Sequence, residues 1–194
     1  NSDENFYWKY EVAIKKQESK NGWLLGANGS IYAVRKKAYV TLPEDSISDH
    51  LEPIKVYSNG LDVIYEPEAI AFEDVPDNVL QRKRRIILRS LVSMKYVLAL
   101  LNPFKKRSIF IPYISHKLIR WFLPFFLIII FFTTGLLMDN NNFYSYFFAI
   151  QILFYLFGWL FHPVRYFIQV NLASLFAIID WLAGQRQNTW EVVR

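Results

Sequence analysis

The order of apolar and polar positions divides the chain near Trp121. Before it, charged and apolar side chains mix at short periods. After it, long apolar runs are broken only by brief polar turns. In the first part, Phe6–Lys20 (FYWKYEVAIKKQESK) has Trp8, Val12 and Ala13 at helical spacing among Lys and Glu, which predicts an amphipathic helix. Gly22–Gly29 (GWLLGANG) brackets an apolar patch with glycines and reads as a constrained loop. Ser30–Arg35 alternates like a short strand, and Leu42–Asp45 makes a turn. Ser46–Ser58 then predicts a helix stopped at Asn59-Gly60. Two further short strands are expected at Asp62–Tyr65 and Ala69–Phe72, followed by a helix over about Asp77–Leu101. That alternation predicts a mixed α/β head.

The second part reads as a membrane unit. Asn102–Lys117 mixes basic and aromatic residues over too short a stretch to span, the profile of a segment lying at a membrane surface. Trp121–Met138 and Phe143–Phe161 are each about bilayer length. Their connection, Asp139–Asn142, carries no Lys or Arg, whereas Lys105–Arg120 precedes the first span and Arg165 follows the second. The positive-inside rule therefore puts the head and Arg165 on the cytosolic side of a helical hairpin. In the third apolar segment, Tyr166–Gly184, a helix sets Gln169, Ala173, Ala177, Asp180 and Gly184 on one side. Ile168, Leu172, Leu175, Ile179 and Leu182 fall on the other. A lipid-facing Asp180 is costly, so this helix either lies in the interface, the favoured expectation, or spans with its polar side against protein. The expected organisation is a head over 1–101, an interfacial segment over 102–120, a transmembrane hairpin over 121–161, and an interfacial helix with a cytosolic tail over 162–194.

Composition agrees with that division. Hydrophobic residues make up 53% of the 194 and charged residues still reach 20%, so the two classes must be segregated. There is no Cys, which removes disulfides, thiolate zinc sites and a Cys nucleophile. The net charge of +5 sits next to the apolar segments, where it suits an anionic lipid surface better than nucleic acid. The first residues, Asn1–Asn5, are polar, without an initiator Met or a signal peptide, and read as the start of a piece of something longer.

Two groups in the head are candidates for chemistry. Asp45 and Asp49 stand one helical turn apart at a predicted helix start, where a carboxylate also serves simply to complement the helix dipole. The run Arg82–Arg85 suits a diphosphate through the fixed fork of arginine donors, or else a solvated or lipid-headgroup face. No Gly-rich phosphate loop follows a strand, and the three His lack metal-ligand spacing.

The order of several short motifs adds a resemblance. GANGSIYAVRK (Gly26–Lys36), LPEDSISDHLEP (Leu42–Pro53), GLDVIYEPEAIAFE (Gly60–Glu73) and QRKRR (Gln81–Arg85) follow one another as in the second half of a family-2 glycosyltransferase domain. ISHKLIRW (Ile114–Trp121) and TWEVVR (Thr189–Arg194) extend the likeness along the chain, which resembles the hyaluronan, chitin and poly-N-acetylglucosamine synthases. The resemblance implies an α/β fold class, the acceptor-side half of a GT-A lobe over 1–101, followed by an all-α membrane region. It implies an inverting transfer from a nucleotide-sugar to a growing cell-surface polysaccharide at the cytosolic face of the plasma (inner) membrane. The alternatives are a single addition to a lipid-linked acceptor, and a non-catalytic membrane subunit or pseudoenzyme.

By the same resemblance Asp49 is the general base for the acceptor hydroxyl, and Gly29 and Ser30 line the acceptor site. Gln81, Arg84 and Arg85 match a Gln-x-x-Arg-Trp motif, with Arg85 standing where Trp is usual. Trp190 and Arg194 match a tail that swings over the nucleotide, although an aromatic interface anchor explains Trp190 equally well. The family's divalent metal, Mg or Mn, is held by an Asp-x-Asp motif that does not occur here. No metal ligand is therefore assigned, and this chain by itself is expected to be inactive.

Overall fold

The computed structural model describes residues 2–72, 78–98, 100 and 110–186, with side chains from Trp8 onward. Three head helices come first: α1 (Ser2–Lys20), α2 (Ser48–Ser58) and α3 (Val79–Leu98). A short α4 (Phe110–Tyr113) runs through a π-helical stretch, Ile114–Leu118, into α5 (Ile119–Leu137). Then follow α6 (Asn142–Phe157), a 3-10 turn Gly158–Leu160, and α7 (His162–Leu182). The helices expected in the head are present, and α2 stops at Asn59 with Gly60 at φ +86°, a backbone state that favours glycine.

The expected α/β fold class is not what forms. Among the described residues there is no strand, only an isolated bridge between Asn28 and Ile31, so this head is helical and is not a GT-A lobe. Ser30–Arg35, Asp62–Tyr65 and Ala69–Phe72 lie outside helices without forming a ladder. A strand is stable only when a neighbour takes its N–H and C=O groups, and the elements around these segments are helices already bonded internally. Large apolar residues of the last two segments face outward: Ile64, Ile70 and Phe72 are 71%, 70% and 97% exposed.

The head packs on two small apolar centres. Leu51, Ile54 and Tyr57 of α2 meet Leu25, Val97 and Tyr113. Ile87, Leu88 and Leu91 of α3 meet Trp121 of α5 and Ala177 and Ile178 of α7. The second cluster welds the head to the apolar helices. Ser174 adds a buried hydrogen bond, its Oγ donating to the Trp121 carbonyl at 2.6 Å.

Two helices, Phe110–Leu137 and Asn142–Leu160, are long and apolar enough to cross a membrane. They form the hairpin expected from the hydropathy pattern, closed by Asn141, whose side chain caps α6 by accepting from Phe143 N at 2.9 Å. Gly135 lies against Phe148, where an added Cβ would come within 3.2 Å of the ring. Gln151 Nε2 donates to Thr134 Oγ1 at 2.9 Å, a cross-helix polar bond of the kind that holds apolar helices together.

The third apolar helix, α7, turns its small and polar side to protein. Ala173, Ser174, Ala177 and Asp180 are buried, while Ile179 and Leu182 on the opposite side are exposed. The charge at Asp180 is met by Arg84 of α3 in a bidentate pair, Nε and Nη2 each 2.6 Å from a carboxylate oxygen. Asp180 is 6% exposed and Arg84 keeps partial access to solvent, so losing the carboxylate strands a cation that can still reach water. Asp180→Ala is expected to destabilise the chain by about 2 kcal/mol, below the range for fully buried pairs. Thermal unfolding in lipid nanodiscs measures this, and Arg84→Ala in the Asp180→Ala background should add little; additive losses would deny the coupling.

Candidate functional site

The site is built on the first turn of α2, and a proline sets its geometry. Pro53 lies inside α2 and has no N–H to give the Asp49 carbonyl one turn earlier. That carbonyl instead accepts from Ala27 N at 2.9 Å, which pins the glycine loop onto α2. Ile47 N donates to Ser93 Oγ at 3.0 Å, fixing the start of α2 against α3. With loop and helix locked together, Gly29 faces the Asp49 carboxylate so closely that a Cβ would stand 2.9 Å from Oδ2. At the other end of the loop, a Cβ on Gly26 would stand 3.1 Å from Lys117 Nζ. Asp49 and Lys117 thus press on one short glycine loop from two elements.

Behind the loop lies a concentration of buried polar atoms. Asp49 Oδ1, both His50 ring nitrogens, Glu52 Oε1 and the Tyr113 hydroxyl have no hydrogen-bond partner among the described residues. Buried polar groups are nearly always paired in folded proteins, so this group of atoms on α2 and at Tyr113 marks a candidate site. His50 is stacked on Tyr113 at 5.8 Å and meets Trp121 edge-on at 5.8 Å. Burial, with Lys117 nearby, keeps its imidazole neutral, well below the usual 6.5. The Asp49 carboxyl is pushed above its ordinary value by burial, against the pull of Lys117, Arg89 and Lys15. A carboxylate held in that balance is a better proton acceptor than a solvated one while keeping cations near.

The residues singled out by sequence are not all in this place. Asp49 and Gly29 are brought together as expected, and Ser30 follows at the exposed loop end, its N–H donating to Asn28 Oδ1 at 3.4 Å. Gln81 is exposed in the first turn of α3, its N–H bonded to Asn78 Oδ1 at 3.0 Å. Arg84 is committed to Asp180, and Arg85 is half-buried beside it in sequence with an interaction of its own. Trp190 and Arg194 lie outside the described residues. Asp45 does not pair functionally with Asp49: Lys95 Nζ at 2.6 Å and Tyr96 Oη at 2.7 Å donate to it, holding its carboxyl below the usual range.

His50, Tyr113, Arg89, Lys15 and Lys117 escaped the sequence reading. Lys117 had a signal, its place in ISHKLIRW, but a lysine flanking a span reads first as an orienting charge. Among the described residues no three His, Asp or Glu side chains group as metal ligands. An apolar cleft of about 270 Å³ lies between α5, α6 and α7, lined by Pro124, Phe131, Tyr155, Phe167 and Leu175 among others. No protein-family model, no curated protein and no solved structure matches this chain.

The raised Asp49 carboxyl has a consequence for stability. A group whose folded pKa lies above its unfolded value of 3.8 stabilises the fold when protonated, and that contribution is lost as pH rises through the folded pKa. At neutral pH the ionised Asp49 therefore costs stability. Asp49→Asn is expected to raise the melting temperature at pH 7, with the gain vanishing once pH falls below 3.8. A lower melting temperature at pH 7, followed by differential scanning calorimetry, would count against this electrostatic account.

Proposed function

We propose that this chain is the acceptor-side, membrane-bound part of an inverting glycosyltransferase that extends a cell-surface polysaccharide, with Asp49 as the general base. The observation that carries the proposal is the Asp49 carboxylate, partly desolvated and facing Gly29 across a loop that the Pro53 gap locks to α2. In the proposed reaction, an acceptor hydroxyl at Asp49 loses its proton to the carboxylate as its oxygen attacks the anomeric carbon of a nucleotide-sugar. The nucleotide diphosphate leaves from the opposite side, so the anomeric configuration inverts. Glycine at position 29 suits this role because a side chain there would displace the base.

The motif order from Gly26 to Arg85 supports the family-2 resemblance, which rests on those residues and on the site and takes nothing from a GT-A sheet. In this proposal the donor and its divalent metal are held by a part of the polypeptide outside this chain, or by a separate chain. The hairpin sits in the plasma (inner) membrane with the head and Arg165 on the cytosolic side and the polar turn Asp139–Asn142 outside. The apolar cleft between α5, α6 and α7 favours a second reading, in which the acceptor is lipid-linked and receives a single sugar.

Transfer of radiolabelled sugar from UDP-N-acetylglucosamine, UDP-glucose and UDP-glucuronate by the longer polypeptide containing this chain tests the proposal. Removing a general base costs typically about 10²–10⁴-fold, so Asp49→Asn should lower kcat by that order with little change in KM. Gly29→Ala should also lower kcat, by pushing the carboxylate aside. Undiminished transfer by Asp49→Asn would end the assignment, and product length separates polysaccharide extension from single addition.

A further inference from the structure

Around Asp49 the charges do not balance. Lys117, Arg89 and Lys15 all lie within electrostatic reach of its carboxylate. They come from three elements: Lys15 from α1, Arg89 from α3 and Lys117 from the π-helical stretch before α5. Among the described residues none of the three side chains forms an ion pair or a hydrogen bond, and Lys15 meets only the face of the Trp8 ring. The other carboxylates facing Lys117 are Glu11 and Glu18. Glu11 is taken by Arg120 at 3.1 Å, and Glu18 by His116. With Glu52 also buried on α2 beside Asp49, three half-buried cations stand against two carboxylates, an excess of positive charge that an entering anion would offset.

The backbone is shaped for the same purpose. A π-helical turn inserts an extra residue into a helix and is frequent at functional sites. Here it occupies Ile114–Leu118, the stretch that carries Lys117 to the glycine loop. Gly26 leaves room for the ammonium, where a side chain would stand 3.1 Å from Nζ. Arg89 adds a planar fork suited to phosphate oxygens, and Lys15 and Lys117 add point charges.

We propose that Lys15, Arg89 and Lys117 form a phosphate subsite beside Asp49, so that the site receives a molecule presenting a hydroxyl and a phosphate ester together. This deepens the glycosyltransferase reading, on which the role of the hydroxyl rests; the phosphate subsite itself is tested without any transfer. The phosphate chemistry has two sources: a soluble diphosphate compound or the headgroup of an anionic lipid.

The first arm titrates inorganic pyrophosphate into the 194-residue chain in phosphatidylcholine nanodiscs by isothermal calorimetry. The second measures retention of phosphatidylglycerol from mixed nanodiscs by native mass spectrometry. Saturable binding is expected in at least one arm, and the arm that responds identifies the source. Lys117→Gln and Arg89→Gln should each weaken it by at least about tenfold, as expected for losing a charge-assisted contact. Lys36→Gln, at an exposed position outside the cluster, should leave it unchanged.

Asp49→Asn should bind as tightly or more tightly, because a repelling carboxylate is gone. Since that variant is expected to lose transfer while keeping phosphate, failure of the subsite and failure of the base assignment give different results. Lys117→Arg, which keeps the charge, should retain binding where Lys117→Gln loses it. Equal loss in both would point to packing and overturn the proposal, as would no saturable binding in either arm, or binding that Lys117→Gln and Arg89→Gln leave intact.

Discussion

The pair between Arg84 and Asp180 is the contact on which the arrangement of this chain turns. Each partner would be poorly placed without the other: Asp180 is a buried acid on an apolar helix, and Arg84 sits on a helix whose neighbours are Ile87, Leu88 and Leu91. Joined, they close α3 against α7, and the small residues Ala173 and Ala177 let the two helices approach. Because Ser174 also ties α7 to the Trp121 carbonyl, the pair fixes the head to the first membrane-length helix. Buried ion pairs contribute little net stability against an apolar alternative, but they are exacting about geometry. Here that geometry sets which face of α3 is free to support α2.

The Asp49 side of the head follows from that placement. Ser93 of α3 receives the Ile47 N–H at the start of α2, and its own hydroxyl donates to the Arg89 carbonyl at 2.9 Å. Pro53 then diverts the Asp49 carbonyl to the glycine loop. The result is a carboxylate whose backbone is bonded on the loop side while its side chain keeps an unpaired oxygen. Trp121 of α5, edge-on to His50, places this carboxylate near the start of the apolar hairpin.

Much of this was legible in the residues, for identifiable reasons. The helices of the head and the hairpin follow from apolar periodicity, and the small-residue face of α7 was visible because Ala173, Ala177 and Asp180 share one side at helical spacing. What that face meets was not legible, since Arg84 is distant in sequence and stood in a basic run with several possible uses. The expected strands do not form: Ser30–Arg35 alternates in a way that suits a sheet and Asp62–Tyr65 and Ala69–Phe72 are short apolar stretches, but among the described residues no neighbouring segment offers a ladder. Local spacing likewise paired Asp45 with Asp49, whereas Lys95 and Tyr96 capture Asp45 from across the head. Lys117 was hidden by its position, where a span-flanking charge and a site residue look alike.

The central claim, that Arg84 and Asp180 hold the head on the apolar helices, is tested most directly on the Arg84 side chain itself. In ¹⁵N-labelled chain in lipid nanodiscs, the Arg84 Nε–H, assigned through its loss in Arg84→Lys, is predicted to exchange slowly with water and to lie downfield of the other arginines. In Asp180→Asn the same signal should move to the solvent-exposed average. An Arg84 Nε–H that exchanges as fast as its exposed counterparts in the unaltered chain would contradict the account.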